Sequence, residues 1–258
     1  WVISESEVGD ILTQSGFSKE EVSQLATGRL ANKEKGYLNQ IIAGHFSSDI
    51  IDYLVRDSYF AGVEYGRVDV QRLISSLDLV GNQLVADYSD ALGVLESFLI
   101  ARIEMFNVVY FHRTVRAANV MISRAMDFAN EKLGLCSFDS LEDFLELDDA
   151  KVTQDLLSLK ESREEKPLKA YEFISKVAGR QLLKSTYELT LYRKDDFFEK
   201  LLNKTKIRRQ LEVEIGEKAD VDPDYVIIDV PQVLSVPINP IERRRSEILV
   251  FKRAPTGG

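Results

Sequence analysis

Leu92-Gly-Val-Leu-Glu-Ser-Phe-Leu-Ile-Ala-Arg102-Ile-Glu-Met-Phe-Asn-Val-Val-Tyr110-Phe111 is the most apolar stretch of the chain. Leu92, Leu95, Leu99, Ile103, Phe106 and Tyr110 recur at the helical period, and Phe98, Ile100, Met105, Val108 and Phe111 fill the other sides. The pattern predicts one long helical segment from Ser89 to Lys132, closed by Gly134. A helix apolar nearly all round belongs in the middle of an α-helical core. Glu96, Arg102 and Glu104 interrupt the stretch, so it does not read as a membrane span, which needs about 20 apolar residues. Arg102 is the residue to explain, because an unpaired guanidinium is costly to bury. Either a carboxylate, making an internal ion pair with the Asp49–Asp57 segment, or an anionic ligand should answer it. Arg102, Phe106, Tyr110 and Arg113, followed by Arg116, form a polar and aromatic stripe along the segment.

Upstream, helical patterns cover Glu5–Leu12 and the stretch from Ser18, where Ser18-Lys-Glu-Glu21 has the form of a capping box. A turn at Gly16-Phe17 lies between them. Gly36–Ala43 is helical and stops at Gly44. Phe46–Phe60 is the next helix, with Ser47 or Ser48 as cap and Asp49 in its first turn, where a carboxylate suits the helix dipole. Val70–Leu77 is helical, and Val80–Asp87 reads as a hairpin turning at Gly81-Asn82. Downstream, 140–159 is an acidic helical pair, and the charge run 160–166 before Pro167 predicts a domain boundary. Beyond it the pattern changes: a helix over Lys169–Ala178, a strand over Tyr187–Tyr192, a long amphipathic helix over Asp195–Lys218, and β-rich runs at Tyr225–Val230 and Glu247–Phe251. The expected fold is mainly α, a helical core over residues 1–160 followed by a small α+β module over 167–258.

Composition narrows the function classes. Among 258 residues there is one cysteine, so an internal disulfide and a cysteine-built zinc site are excluded. Lys and Arg number 33 against 42 Asp and Glu, a net charge of −9, which argues against a general nucleic-acid coat. No signal-peptide pattern opens the chain, which reads as cytoplasmic and off the membrane. The start at Trp1, without a methionine, points to a fragment or processed product.

The chemistry concentrates in Ser47-Ser-Asp49-Ile-Ile-Asp52-Tyr53-Leu-Val-Arg56-Asp57. Asp49, Tyr53 and Asp57 share one helix face at i, i+4 and i+8, and Asp52 and Arg56 form an adjacent pair. Spacing alone permits a cation at Asp49 and a sugar hydroxyl at Asp57, and equally a solvated surface face. His45, four residues before Asp49, has the spacing of a second metal ligand on one helix face, although a stable site needs three or four ligands.

With these residues quoted, Asp49-Ile-Ile-Asp-Tyr53-Leu-Val-Arg-Asp57-Ser-Tyr-Phe-Ala-Gly62 resembles the D-x-x-D-Y-x-x-R-D…G signature of HD-superfamily metal-dependent phosphohydrolases, in their deoxynucleoside triphosphate triphosphohydrolase branch. Arg102…Tyr110-Phe-His112-Arg113 resembles that branch's second nucleotide-contacting helix, the likeness running from Gly36 to Lys132. The resemblance implies a helical HD-type core, a divalent metal ion with Asp49 among its ligands, and a nucleotide substrate. Tyr53 and Asp57 would contact the sugar, Arg102 the phosphates and Tyr110 the sugar or base side. It also implies a homo-oligomer. The family's histidine and His-Asp ligands are not in this sequence, so the parent protein is expected to be an enzyme and this chain alone inactive. The alternative is a catalytically dead nucleotide sensor or oligomeric scaffold.

Overall fold

The computed structural model describes residues 1–189, 201–231 and 250–251. The chain is mainly α-helical with a small strand component, as the hydrophobic pattern predicts. No described helix is long and apolar enough to cross a membrane. The residues divide into two compact units. The first is Trp1–Tyr110 with the strand at Val250–Phe251, and the second is Phe111–Leu234. The charge run 160–166, where a boundary was expected, lies inside the second unit.

The first unit opens with α1 (Val2–Glu5), α2 (Glu7–Gln14) and α3 (Lys19–Ala26), the last two separated by a turn at Gly16. Ser18 accepts the backbone N–H of Glu21, but its hydroxyl donates to Glu20, so only half of the expected capping box forms. Helix α4 (Gly36–Ala43) ends at Gly44, where a Cβ would stand 2.2 Å from the Gln40 carbonyl oxygen. Helix α5 (Ser48–Ala61) ends at Gly62 in the left-handed conformation, which frees the Gly62 N–H to cap the Ser58 and Tyr59 carbonyls. After α6 (Val70–Ser75), β1 (Leu77–Val80) and β2 (Gln83–Asp87) pair antiparallel in the register Val80–Gln83 to Leu77–Ala86. Gly81 and Asn82 both have positive φ, the mark of a type I′ hairpin turn.

Strand β3 (Val250–Phe251) adds parallel to β2, pairing with Ala86 and Asp87. The strand expected over Glu247–Phe251 therefore closes a sheet of the first unit; its residues 247–249 lie outside the described set. Asp87 caps α7 (Tyr88–Met105). That helix buries Ala91, Val94, Leu95, Phe98 and Met105 in one cluster with Leu54 of α5, Leu73 of α6 and Ala86 of β2. Leu92 and Ile100 stay exposed, so α7 is buried on one side rather than all round. The helical segment expected from Ser89 to Lys132 is also not continuous. A π-helical turn, Phe106–Tyr110, ends α7, and His112 starts a new helix by accepting the Thr114 N–H.

In the second unit α8 (Arg113–Leu133) packs on α11 (Glu165–Ala178). Ala125 and Ala129 of α8 and Ala170 of α11 are fully buried, and such small side chains let the two helices approach closely. Short α9 (Leu141–Glu146) and α10 (Asp149–Ser158) complete the group, Ser140 and Asp143 forming a reciprocal capping box. The long amphipathic helix expected over Asp195–Lys218 is interrupted: residues 201–202 are helical, 203–204 leave the helix, and α12 (Thr205–Ala219) starts anew after Lys204, while residues 195–200 are outside the described set. The strand expected over Tyr187–Tyr192 is absent at 187–189, and 190–192 are likewise outside.

Tyr225–Val230 is not a strand either. Asp222 caps a 3-10 turn with Pro223 at its start. The backbone of Ile228 then donates to Glu212, while the Asp229 side chain binds Arg116. The Glu212 side chain thus takes up one backbone N–H that a partner strand would have used, and the Arg116–Asp229 ion pair holds the segment by its side chain.

Candidate functional site

The site lies wholly within the first unit, on one face of α5 and on the α7–π-turn segment beside it. Helix α5 presents Asp49, Tyr53 and Asp57 in three successive turns because each step of four residues returns to almost the same face. Asp49 is exposed at the helix start and accepts the hydroxyl of Ser47, which is 1% exposed. Two turns on, the Tyr110 hydroxyl donates to Asp57 Oδ2 at 2.8 Å. Between them the rings of Tyr53 and Tyr110 meet edge to face, with centroids 6.1 Å apart. The pairing runs in the same direction along both segments, Asp49 beside Arg102 and Asp57 bonded to Tyr110.

Arg102 is the centre of the arrangement. It is 1% exposed and is the largest fully buried side chain. Its guanidinium lies beside the Tyr53 hydroxyl and in the field of Asp49, and its Nε and Nη1 have no hydrogen-bond partner among the described residues. Of the two answers foreseen from the sequence, the internal ion pair with a bonded carboxylate does not form among the described residues. Burial pushes the Arg102 guanidinium below its ordinary pKa, with Tyr53 and Asp49 opposing. Burial likewise raises the Tyr53 hydroxyl, which Arg102 partly offsets. Tyr110 is raised by burial and further by its bond to Asp57, so it stays a neutral donor across the physiological range.

Asp52 and Arg56 form the expected i, i+4 pair at 3.0 Å, and Arg56 also reaches Asp57 at 3.2 Å. Both Asp52 and Arg56 are exposed, so the pair adds little to stability. The five residues singled out from the sequence are thus brought together, Asp49, Tyr53 and Asp57 from one face of α5 and Arg102 and Tyr110 from the segment beside it. Two contributors were not foreseen there. Ser47 was read only as a possible cap, and the π turn leaves no trace in an apolar run such as Phe106-Asn-Val-Val-Tyr110.

The metal expectation fares differently. His45 lies in a turn before α5, so the argument that it shares a helix face with Asp49 fails. Among the described residues no group of three His, Cys, Asp or Glu side chains could hold a metal ion. Asp49 offers one oxygen-bearing ligand where a stable site needs several, so these residues do not fit a complete metal centre.

Comparison with known proteins extends the reading beyond this geometry. The chain is 35% identical over 113 residues to an uncharacterized protein of Methanocaldococcus jannaschii, a match covering 43% of this chain and 24% of that protein. It is 27% identical over 132 residues to the uncharacterized protein YwfO of Bacillus subtilis, covering 50% and 29% respectively. A hypothetical protein from Aquifex aeolicus has a similar solved structure, with a TM-score of 0.60 and 34% identity over 81% of this chain and 52% of that one. A phosphohydrolase from Bacteroides thetaiotaomicron shares the fold, with a TM-score of 0.57, 22% identity and coverage of 84% and 56%. The chain therefore spans about half the length of these solved relatives and about a quarter of the curated ones. The profile of the HD associated region family matches residues 68–243, which takes in Arg102 and Tyr110 and begins just after Asp57. With most of its length in that match, this chain belongs to the HD associated region family.

Proposed function

We propose that this chain is part of a phosphohydrolase acting on nucleotides, with (deoxy)nucleoside triphosphates as the substrate class. The observation that carries the reading is Arg102, a buried guanidinium beside Tyr53 with two nitrogens that have no partner among the described residues. A guanidinium in that condition is a ready fork for a phosphate, which would restore the missing hydrogen bonds and the counter-charge together. Tyr53, Asp57 and Tyr110 add the aromatic edges and hydrogen-bonding groups that a sugar needs. The resemblance to HD phosphohydrolases and the likeness in fold to the Bacteroides phosphohydrolase point the same way.

A divalent metal ion would have to find most of its ligands outside the residues described above, with Asp49 as one contributor. The second reading, a nucleotide sensor without turnover or an oligomeric scaffold, is favoured by that sparse donor set among the described residues. One experiment separates the readings. Binding and hydrolysis of nucleoside triphosphates are measured on the full-length protein and on its Arg102→Lys variant. Turnover whose kcat/KM falls by about 30-fold or more in the variant supports the phosphohydrolase, because lysine lacks the planar fork. Tight binding without turnover supports the sensor. Unchanged kinetics in the variant would remove Arg102 from the site.

A further inference from the structure

Arg102 and Tyr110 are eight residues apart, yet both reach the same face of α5 through Tyr53. An uninterrupted α-helix does not allow this comfortably. At 3.6 residues per turn, eight steps leave two side chains about 80° apart around the axis. A separation of seven leaves them only about 20° apart. A π turn closes its hydrogen bonds over five residues instead of four, so it absorbs one extra residue. The segment between Arg102 and Tyr110 contains such a turn, Phe106–Tyr110. Within it Asn107 is the exposed residue, whereas Phe106 packs on the Tyr110 ring with centroids 5.0 Å apart and Val109 packs against the core.

We propose that the π turn is a register device: by absorbing one residue, Asn107, it carries Tyr110 onto the helix face of Arg102, where it meets Tyr53 and donates to Asp57. The role in nucleotide binding rests on the reading proposed above; the register itself does not. Asn107 is exposed and acts as a positioning residue through Tyr110. A counter-intuitive consequence follows. Deleting Asn107 leaves a seven-residue separation in a regular α-helix, so the site survives a deletion that would ordinarily throw a helix out of register. Inserting one residue instead turns Tyr110 about 100° away.

The test is a double-mutant cycle between Tyr110→Phe and Asp57→Asn, read from unfolding of the full-length protein in three backgrounds. These are the parent, the deletion of Asn107, and an alanine inserted after Asn107. The coupling is expected to be about fivefold in the unfolding equilibrium in the parent. It should persist in the deletion background and vanish in a folded insertion background; where the insertion does not fold, the deletion background alone decides. Coupling lost in the deletion background, a deletion variant that does not fold, or coupling retained with the insertion would each overturn the proposal. Affinity for dATP, measured in parallel, should stay within about threefold of the parent on deletion and be lost on insertion. If the parent binds no nucleotide, the functional reading falls while the cycle still decides the register.

Discussion

A guanidinium taken out of water must recover its hydration from hydrogen bonds or a counter-charge, and Arg102 recovers only part of it. Tyr53 and the field of Asp49 stand on one side, while Nε and Nη1 go unanswered among the described residues. Such an arrangement costs stability unless a ligand completes it. Arg102→Met keeps a similar volume and removes the buried charge, and exchanges of this kind are often neutral or stabilising. The expected result is a thermal midpoint equal to or above the parent's, together with loss of nucleotide binding. A midpoint lowered by several degrees would mean that the guanidinium supports the fold instead. The sequence alone raised the question of what answers Arg102, since the cost of burying it follows from residue type and surroundings. It could not say that the partial answer is the Tyr53 hydroxyl, because Tyr53 is nearly fifty residues away and spacing carries no information across that distance.

At the level of elements, the hairpin and the interrupted helix make opposite cases. Gly81-Asn82 announces its own geometry, because a two-residue loop between strands demands positive φ at both positions and these residue types tolerate it. Asn82 has φ of 61°. Asn82→Val should therefore lower stability by about 1–2 kcal/mol, the cost of a left-handed conformation for a residue with a Cβ. Asn82→Gly should be neutral or slightly stabilising. Chemical denaturation of the two variants checks both. The break at Phe106–His112 has no comparable signature. The apolar period continues across it, and π and α turns are built from the same residue types. The expected strand at Tyr225–Val230 failed for a related reason: β-branched residues there fit a strand, but Glu212 takes the Ile228 N–H and Arg116 holds the segment through the Asp229 side chain.

Across the second unit, cationic side chains of the helices hold the segment after α12. Lys169 of α11 meets Asp224 at 2.6 Å and Asp222 at 2.9 Å, and Arg209 also binds Asp224. Tyr225 stacks on Phe173 and donates to Glu172. Burial pushes the Asp224 carboxyl up, but Lys169 and Arg209 outweigh it and hold the group below the usual carboxylate range. Asp222 is lowered by the Asp224 backbone N–H and by Lys169. A depressed folded pKa contributes stability that is present above the unfolded value, about 3.9, and is lost as pH falls through the folded one. Thermal unfolding followed from pH 6 downward should show this unit weakening below about pH 4. Asp224→Asn should be less stable at neutral pH and show a flatter decline on acidification. An unchanged slope would show that these tethers do not set the acid limit.

The five residues of the candidate site rested chiefly on the family resemblance, whereas residue type and short-range spacing were enough to establish the mainly helical class, the helix over the Asp49–Asp57 segment and the hairpin turn. Each depends on neighbours within two helical turns, where backbone sterics and periodicity act directly. The division into units, the sheet closed by Val250–Phe251, the burial of Arg102 without a bonded carboxylate, and the break that sets Tyr110 required the folded chain. These depend on which distant surface reaches a polar group first, and that competition is settled by packing. His45 shows the difference most simply. Four residues before Asp49 it had the spacing of a shared helix face, but the helix begins only at Ser48, and the geometry that spacing assumed never forms.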